Sequence, residues 1–571
     1  MYRIGTLSPK LAKRNFSTGF EDLTQCTPRT FKSKAKEEQM RRLPVAAAAM
    51  VLCAFMTVWF VGPASAQTSK VFQSPSAAPE SLSLPAGGGP AVRGGVLKAI
   101  RGQFPKDMSY TPEWGPADSI FALPYAERLV DWDEKGNLIP TLATAWEGDP
   151  KAKTVTWRLR KGVKFHDGTP FNAEAVRWNF QVGLDAHTLT DGQFVKSLDV
   201  LDDYTIRMNL TEYTSMAFQD YGWPQMFSPT AFKTNGGKEW ARTHEAGTGP
   251  FKLVDFKRDT LIKYERFDGY WRKGFPLLDG MEARFVPDPM TASLMMEAKD
   301  ADIWQDVWNV KNIVELQQKG LKVNWGPGML WAILPNSSNP KLPYANKKVR
   351  EAVEYALDRP AIAKMLGFGK YEPLNQIVPS ASPAYVPGYN PRPYNPQKAK
   401  QLLTEAGYPN GFETKLLTMD IGRDAGVAIQ FYLAAVGIKV NLDVADMGRF
   451  FASIFSPQGW DELVIAASGI NPDGTDLFVH FGPRPMTYRY GYIAKTPEFL
   501  ALCEKALKTY DQAGVRRAMQ EAVRQAGEDA MVIPVYRSAQ AGVMQDYVHS
   551  DYLKIHDVTW FSHQDWMEKR K

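Results

Sequence analysis

The chain has 571 residues, 44% hydrophobic and 12% aromatic, enough for a large globular body with about three to four domains. Only 7 histidines and 3 cysteines are present, which argues against elaborate metal or redox chemistry. The net charge of +6 arises in residues 1–66, which hold ten Lys/Arg and four Asp/Glu; the remainder is balanced at 58 of each sign, with no bulk basic footprint for nucleic acid.

Residues 1–39 are polar and basic, without a clear period, and Met40 reads as the true initiator. From there "MRRLPVAAAAMVLCAFMTVWFVGPASAQ" has the parts of a secretory signal. Arg41 and Arg42 form the positive end, and an uncharged run spans Leu43 to Val61. Gly62-Pro63 breaks any helix, and Ala64-Ser65-Ala66 places small residues before Gln67. Cleavage between Ala66 and Gln67 is the expectation. The alternative is an uncleaved anchor, because 19 uncharged residues nearly span a bilayer. Cys53 follows Leu52 rather than a small residue, so a lipoprotein site is not indicated. After processing only Cys503 remains, and it has no partner for an internal disulfide.

Residues 67–94 are rich in Ser, Pro, Ala and Gly and read as a flexible tether. Structure is expected from Gly94-Gly95 onward, with "VLKAI" as the first strand. "TVTWRLR" alternates, placing Val155, Trp157 and Leu159 on one face, and "YTIRMNL" repeats the pattern. "NAEAVRWNF" predicts a helix capped by Asn172, with Glu174 in its first turn. "VREAVEYALDR" predicts another, with Val349, Ala352, Val353, Ala356 and Leu357 on one face. "NPQKAKQLLTEAGY" adds a helix with Asn395 as its cap, Pro396 first and Gly407 as the stop. A helix through "IQFYLAAVG" ends at Gly437 and feeds the strand "IKVNLDV", which suggests an α/β layer. The last helices are expected around 497–529.

Chemistry-bearing patterns are sparse. "GTGPFK" at 247–252 lacks the glycine and Gly-Lys-Ser/Thr of a phosphate loop and reads as a tight turn. No zinc-hydrolase or nucleophile-elbow motif occurs. His549, Asp551, His556, Asp557 and His563 have no standard metal spacing and read as polar surface. His166-Asp167 resembles half of a triad, but adjacent strand residues point to opposite faces. "HDGTP" has turn composition, so Asp167 is expected to bond nearby turn amides. A secreted hydrolase or metal-dependent enzyme using His166/Asp167 or the 549–563 histidines is therefore the second reading. Of the prominent tryptophans, Trp114, Trp271, Trp304, Trp308, Trp331, Trp460 and Trp560, most read as core and a minority as cavity lining.

Five blocks in order, "PTLATAWE", "WRLRKGVKFHDGTPFNAEAV", "GTGPFKLVDFKRDTLIKYERFDGYW", "NKKVREAVEYALDR" and "NPQKAKQLLTEAGYPNGF", resemble the solute-binding proteins of bacterial ABC importers, family 5, from about residue 95 to 568. The resemblance implies an α/β fold of the periplasmic-binding-protein type II class: two lobes around a hinged cleft, with an extra domain inserted in the first lobe. It implies a first lobe from 95–128, 245–338 and 541–571, an inserted domain at 129–244 and a second lobe at 339–540, crossing near 338 and 540. It further implies a periplasmic monomer that is no enzyme, has no catalytic residue, metal or cofactor, and does not bind nucleic acid. Such a protein delivers a small polar solute (peptide, oligosaccharide or related compound) to an ABC permease with its ATPase subunits in the inner membrane. Peptide-binding members hold the ligand's amino terminus with an aspartate after a strand beginning "WD". Here Gly469 occupies that position, and Asp473 or Asp476 lies near enough to replace it. Arg423 falls near the arginine that dipeptide-binding members use for the ligand carboxylate. Trp331 and Asn336 lie in a segment that faces the cleft in relatives. With Trp114 and Trp308 from the aromatic set, the candidate contacts are Trp331, Asn336, Arg423, Asp473, Trp114 and Trp308.

Overall fold

The computed structural model describes residues 71–73, 91–114, 116–133, 136–454, 456, 459–469, 474, 476–483, 491–553 and 560–569. Ala66, Gln67, Asp473, His556 and Asp557 lie outside them.

The local signals form the elements they favour. Asn172 accepts a hydrogen bond from the Ala175 amide at the start of helix Ala173–Asp185. Asn395 does the same from Lys398 for helix Pro396–Glu405, and Gly407 follows with φ +93°, where a side chain would be strained. Helix Lys347–Ala356 buries Val349, Ala352, Val353 and Ala356. Leu357 is buried too, but in extended backbone just past the helix. The helix expected through "IQFYLAAVG" starts earlier, at Arg423, and runs to Ala434. The closing helices are Pro497–Leu507 and Gln512–Glu528.

An antiparallel sheet runs Val71–Gln73, Ala143–Asp149, Thr154–Leu159, Thr205–Leu210, Val195–Asp202. Val155, Trp157 and Leu159 point into its core with Phe165, Phe171 and Phe180. Val71–Gln73 lies in the stretch whose composition reads as a tether. It adds to the edge strand Ala143–Asp149, because an open edge presents unpaired backbone groups that any extended segment can satisfy.

A second sheet carries the two lobes. Its path is Ile438–Ala445, Phe412–Met419, Leu463–Ser468, Lys322–Pro335, Ile533–Met544, Ile303–Val307, Val96–Arg101, Gly280–Phe285, Leu261–Arg266 and Phe251–Lys257. The two long strands span both halves. Residues 322–327 pair with 539–544, and residues 330–333 pair with 533–537. Ile303–Val307 joins the second long strand at 541–544, whereas Leu463–Ser468 joins the first at 330–335. The change of neighbours falls between Pro327 and Leu330, where the register shifts, ahead of position 338. Alternation then sends Leu330, Ala332 and Leu334 to one core of the second lobe, and Trp331 and Ile333 to the other.

Candidate ligand-binding cleft

Strand direction locates the site. Val96–Arg101 is flanked by parallel neighbours Gly280–Phe285 and Ile303–Val307. Phe412–Met419 is likewise flanked by parallel Ile438–Ala445 and Leu463–Ser468. In open parallel sheets, ligands bind beyond the carboxyl ends of the strands. The carboxyl end of the first set is pinned by Val307 opposite Ala541. That of the second is pinned by Ser468 opposite Leu330. Both ends therefore meet at the crossing of the two long strands, which forms the floor of a seam between the lobes.

Polar side chains on that floor are held by backbone. Ser538 Oγ accepts from the Met329 amide at 3.0 Å. Gln540 Nε2 donates to the Pro327 carbonyl at 3.0 Å. Arg101, at the end of its strand, donates through Nε to Gln305 Oε1 at 2.7 Å, and its guanidinium lies 4.3 Å over the Phe121 ring. Sequence reasoning did not single out Arg101, Gln305, Ser538 or Gln540. Their only local signal is a polar residue at the end of an apolar strand, and their partners lie about two hundred positions away.

The candidate contacts are scattered by the fold. Trp308 directly follows Val307 at the seam and is half-buried. Trp331 is 5% exposed, and its ring stacks on Tyr536 with centroids 5.9 Å apart, so it belongs to a core that borders the seam. Asn336 is carried to the far end of the second lobe, where its Nδ2 donates to the Trp460 carbonyl at 2.8 Å and its amide to Glu462. Arg423 opens helix Arg423–Ala434 after strand Phe412–Met419, with its Nη2 2.8 Å from Asp420 and both side chains exposed. A Cβ added at Gly422 would stand 2.8 Å from the Trp331 ring, so the Arg423 loop rests on that indole. Trp114 packs edge-on against Phe227 at 5.7 Å and donates to Asp107 at 3.3 Å, holding the loop after Val96–Arg101.

The rival catalytic groups are engaged in structure. His166 Nδ1 faces Glu245 Oε2 at 2.9 Å and its Nε2 faces the Gly249 carbonyl at 2.9 Å, leaving no ring nitrogen for a nucleophile. Asp167 accepts from the Thr169 amide and hydroxyl and from Ser228, the turn role expected of it. His549 and His563 are not polar surface. His549 stacks on Trp566 at 3.8 Å and bonds Glu568 at 3.0 Å. His563 is buried beside Tyr270 and Phe275. Burial, with the nearby Arg272, pushes the His563 imidazole well below its ordinary pKa. The Trp566 and Phe275 rings cover what spacing alone suggested was open. No group of three metal-ligating side chains occurs among the described residues.

Replacing His166 by alanine is expected to cost about 1–3 kcal/mol, because buried Glu245 and the Gly249 carbonyl lose a partner. Solute affinity should be unchanged, since the residue is remote from the seam. Chemical unfolding and calorimetric titration of the variant check both parts, and a lost affinity with intact folding would move His166 to the site.

Two α/β lobes joined by crossing strands, with a further domain inserted in the first, are the architecture of a type II binding protein, in which a solute is enclosed between the lobes. The family description "Bacterial extracellular solute-binding proteins, family 5 Middle" matches residues 137–482, and the chain belongs to that family. It is thus the solute-binding component of an ABC importer and not an enzyme. It is 33% identical over 372 residues to the glutathione-binding protein GsiB of Escherichia coli (strain K12), covering 63% of this chain and 71% of that one. Among solved structures, the periplasmic binding protein DppA from Helicobacter pylori in complex with peptide STSA superposes with a TM-score of 0.72 at 23% identity, over 84% of this chain and 99% of that one. The binding protein AgaA of A. tumefaciens in complex with agropinic acid gives 0.71 at 24%, over 84% and 99%.

Proposed function

We propose that the protein is periplasmic, released by cleavage between Ala66 and Gln67, and captures a carboxylate-bearing, peptide-like solute of glutathione size. The first lobe would comprise 95–128, 245–338 and 541–571, the inserted domain 129–244 and the second lobe 339–540. As a monomer it would pass the solute to an inner-membrane permease driven by ATPase subunits. Among the described residues no helix is long and apolar enough to cross a membrane.

The observation that carries the solute class is the 33% identity over 372 residues to a protein named for glutathione binding. One feature of the seam agrees with it. Arg423 is exposed and pairs with exposed Asp420. Such a pair contributes at most about 1 kcal/mol, so a ligand carboxylate can displace it. Gly469, directly after Leu463–Ser468, offers no carboxylate for a ligand ammonium, a part that Asp473 or Asp476 would have to take.

Thermal unfolding of the Gln67–Lys571 form with glutathione, dipeptides, maltotriose and iron-EDTA tests this, because a ligand that binds only the folded state raises the midpoint. Glutathione or a dipeptide should raise it, and Arg423→Ala should weaken that ligand about tenfold or more. A rise with maltotriose or the chelate alone, or an Arg423→Ala affinity equal to wild type, overturns the proposal.

A further inference from the structure

The antiparallel-sheet domain touches the second lobe through the loop between strand Thr205–Leu210 and helix Ala217–Gly222, and the exchange is reciprocal. Met216, from that loop, is 5% exposed and belongs to a core whose other members all lie between residues 330 and 532, among them Phe499, Cys503 and Ala506. In return Tyr510, which follows helix Pro497–Leu507, packs against the core that contains Trp157 and Phe218 of the antiparallel-sheet domain.

Polar contacts fix the same junction. The Ser215 amide donates to the Leu507 carbonyl at 2.9 Å, and the Ser215 hydroxyl donates to the Ala506 carbonyl at 3.1 Å. Those carbonyls end helix Pro497–Leu507, where acceptors lack partners in their own helix. Tyr213 meets Tyr510 edge-on, with ring centroids 5.4 Å apart, and the Tyr510 hydroxyl lies 3.4 Å from the Tyr213 carbonyl. Tyr213 is itself buried, and Gly148 leaves no room for a Cβ against its ring, so the loop moves with its own sheet.

That sheet is tied to the first lobe. His166 and Glu245 form a pair whose side chains are 4% and 1% exposed, the His166 amide donates to the Gly247 carbonyl, and the Ser109 amide donates to the Ala241 carbonyl. The lobes themselves are joined where the long strands cross, at 327–330 and 537–539. A rotation about that crossing carries the first lobe and the antiparallel-sheet domain together against the second lobe. The loop around Met216 must then part from residues 506–510 as the lobes separate. Neutral hydrogen bonds and one methionine yield more readily than a buried charge-assisted pair, so this junction opens before the His166 tie does.

We infer that Ser215, Met216 and Tyr510 form a clasp that holds the lobes closed at a point remote from the solute. They are positioning residues for capture, and the clasp sets how much of the solute-free protein is closed. The inference rests on the reading above, in which the lobes close on the solute.

Spin labels on Ala298→Cys and Ala434→Cys of the Gln67–Lys571 form report the distance between the lobes. Both positions are exposed, and Cys503 is buried. In solute-free protein, Met216→Ala should lower the closed population about tenfold, the effect of a partly relaxed apolar truncation. Glutathione affinity by calorimetric titration should fall by the same factor, because binding draws on that population. Met216→Leu should restore both. Tyr510→Ala should shift both in the same direction, and it decides the matter where Met216→Ala does not fold. Coincident distance distributions in wild type and variants, or a lower affinity with an unchanged distribution, overturn the clasp. The distances need no solute, so a failure of glutathione to bind counts against the solute class and leaves the clasp to be judged on the distances.

Discussion

Glu354→Ala is expected to destabilise the body by about 3–5 kcal/mol, the usual cost of removing one partner from a buried ion pair. Glu354 is 2% exposed on helix Lys347–Ala356. Its Oε2 lies 3.5 Å from Arg359 Nη2 and 3.5 Å from Arg392 Nη1. Both guanidinium groups are buried and fixed by carbonyls. Arg359 donates to Pro534 at 2.7 Å, and Arg392 donates to Gly527 at 2.6 Å and Glu528 at 3.0 Å. Burial raises the Glu354 carboxyl above its ordinary pKa, while Arg392 and Arg359 oppose that rise. With the carboxylate gone, the remaining Glu351 contact at 3.0 Å serves Arg392 only, and Arg359 is left as a desolvated cation. Replacing the whole triad by apolar residues of similar volume should cost far less. Urea unfolding followed by tryptophan fluorescence measures the difference, with the slope unchanged. A loss under about 1 kcal/mol would show that water reaches the triad.

The second large effect is expected for Trp331→Ala, at about 3–5 kcal/mol for an aromatic truncation in a packed core. Trp331 stacks on Tyr536 at 5.9 Å, and Tyr536 stacks on Tyr371 at 5.0 Å. Its ring also supports Gly422, next to Arg423. The truncation should therefore lower solute affinity along with stability, although the indole is a positioning residue and need not touch the solute. Trp331→Phe should restore most of both. Calorimetric titration below the unfolding midpoint separates the two effects. Unchanged affinity in folded Trp331→Ala would show that the Arg423 loop stands without the indole.

Much of the fold is legible in the sequence because its causes are local. Asn172 and Asn395 cap helices through an amide three residues on. Val155, Trp157 and Leu159 share a face because strand side chains alternate. The turn role of Asp167 is settled within two residues, by Thr169. The ordered blocks between 95 and 568 were enough to name the family.

The site was less legible, because nothing within a few residues distinguishes a cleft residue from a core residue. Trp331 and Asn336 lie five positions apart on one chain segment. The strand between them runs away from the seam, so only Trp331 borders it and Asn336 caps the opposite end. Gln305 meets Arg101 across 204 positions, and His166 meets Glu245 across 79. His549 and His563 look exposed in a polar stretch, yet Trp566 and Phe275 bury them. Sequence by itself determined the elements, their buried faces and the family, since periodicity and capping act over one or two turns of chain. Tertiary structure alone decided which polar groups meet at the seam, because pairing distant strands brings those side chains together.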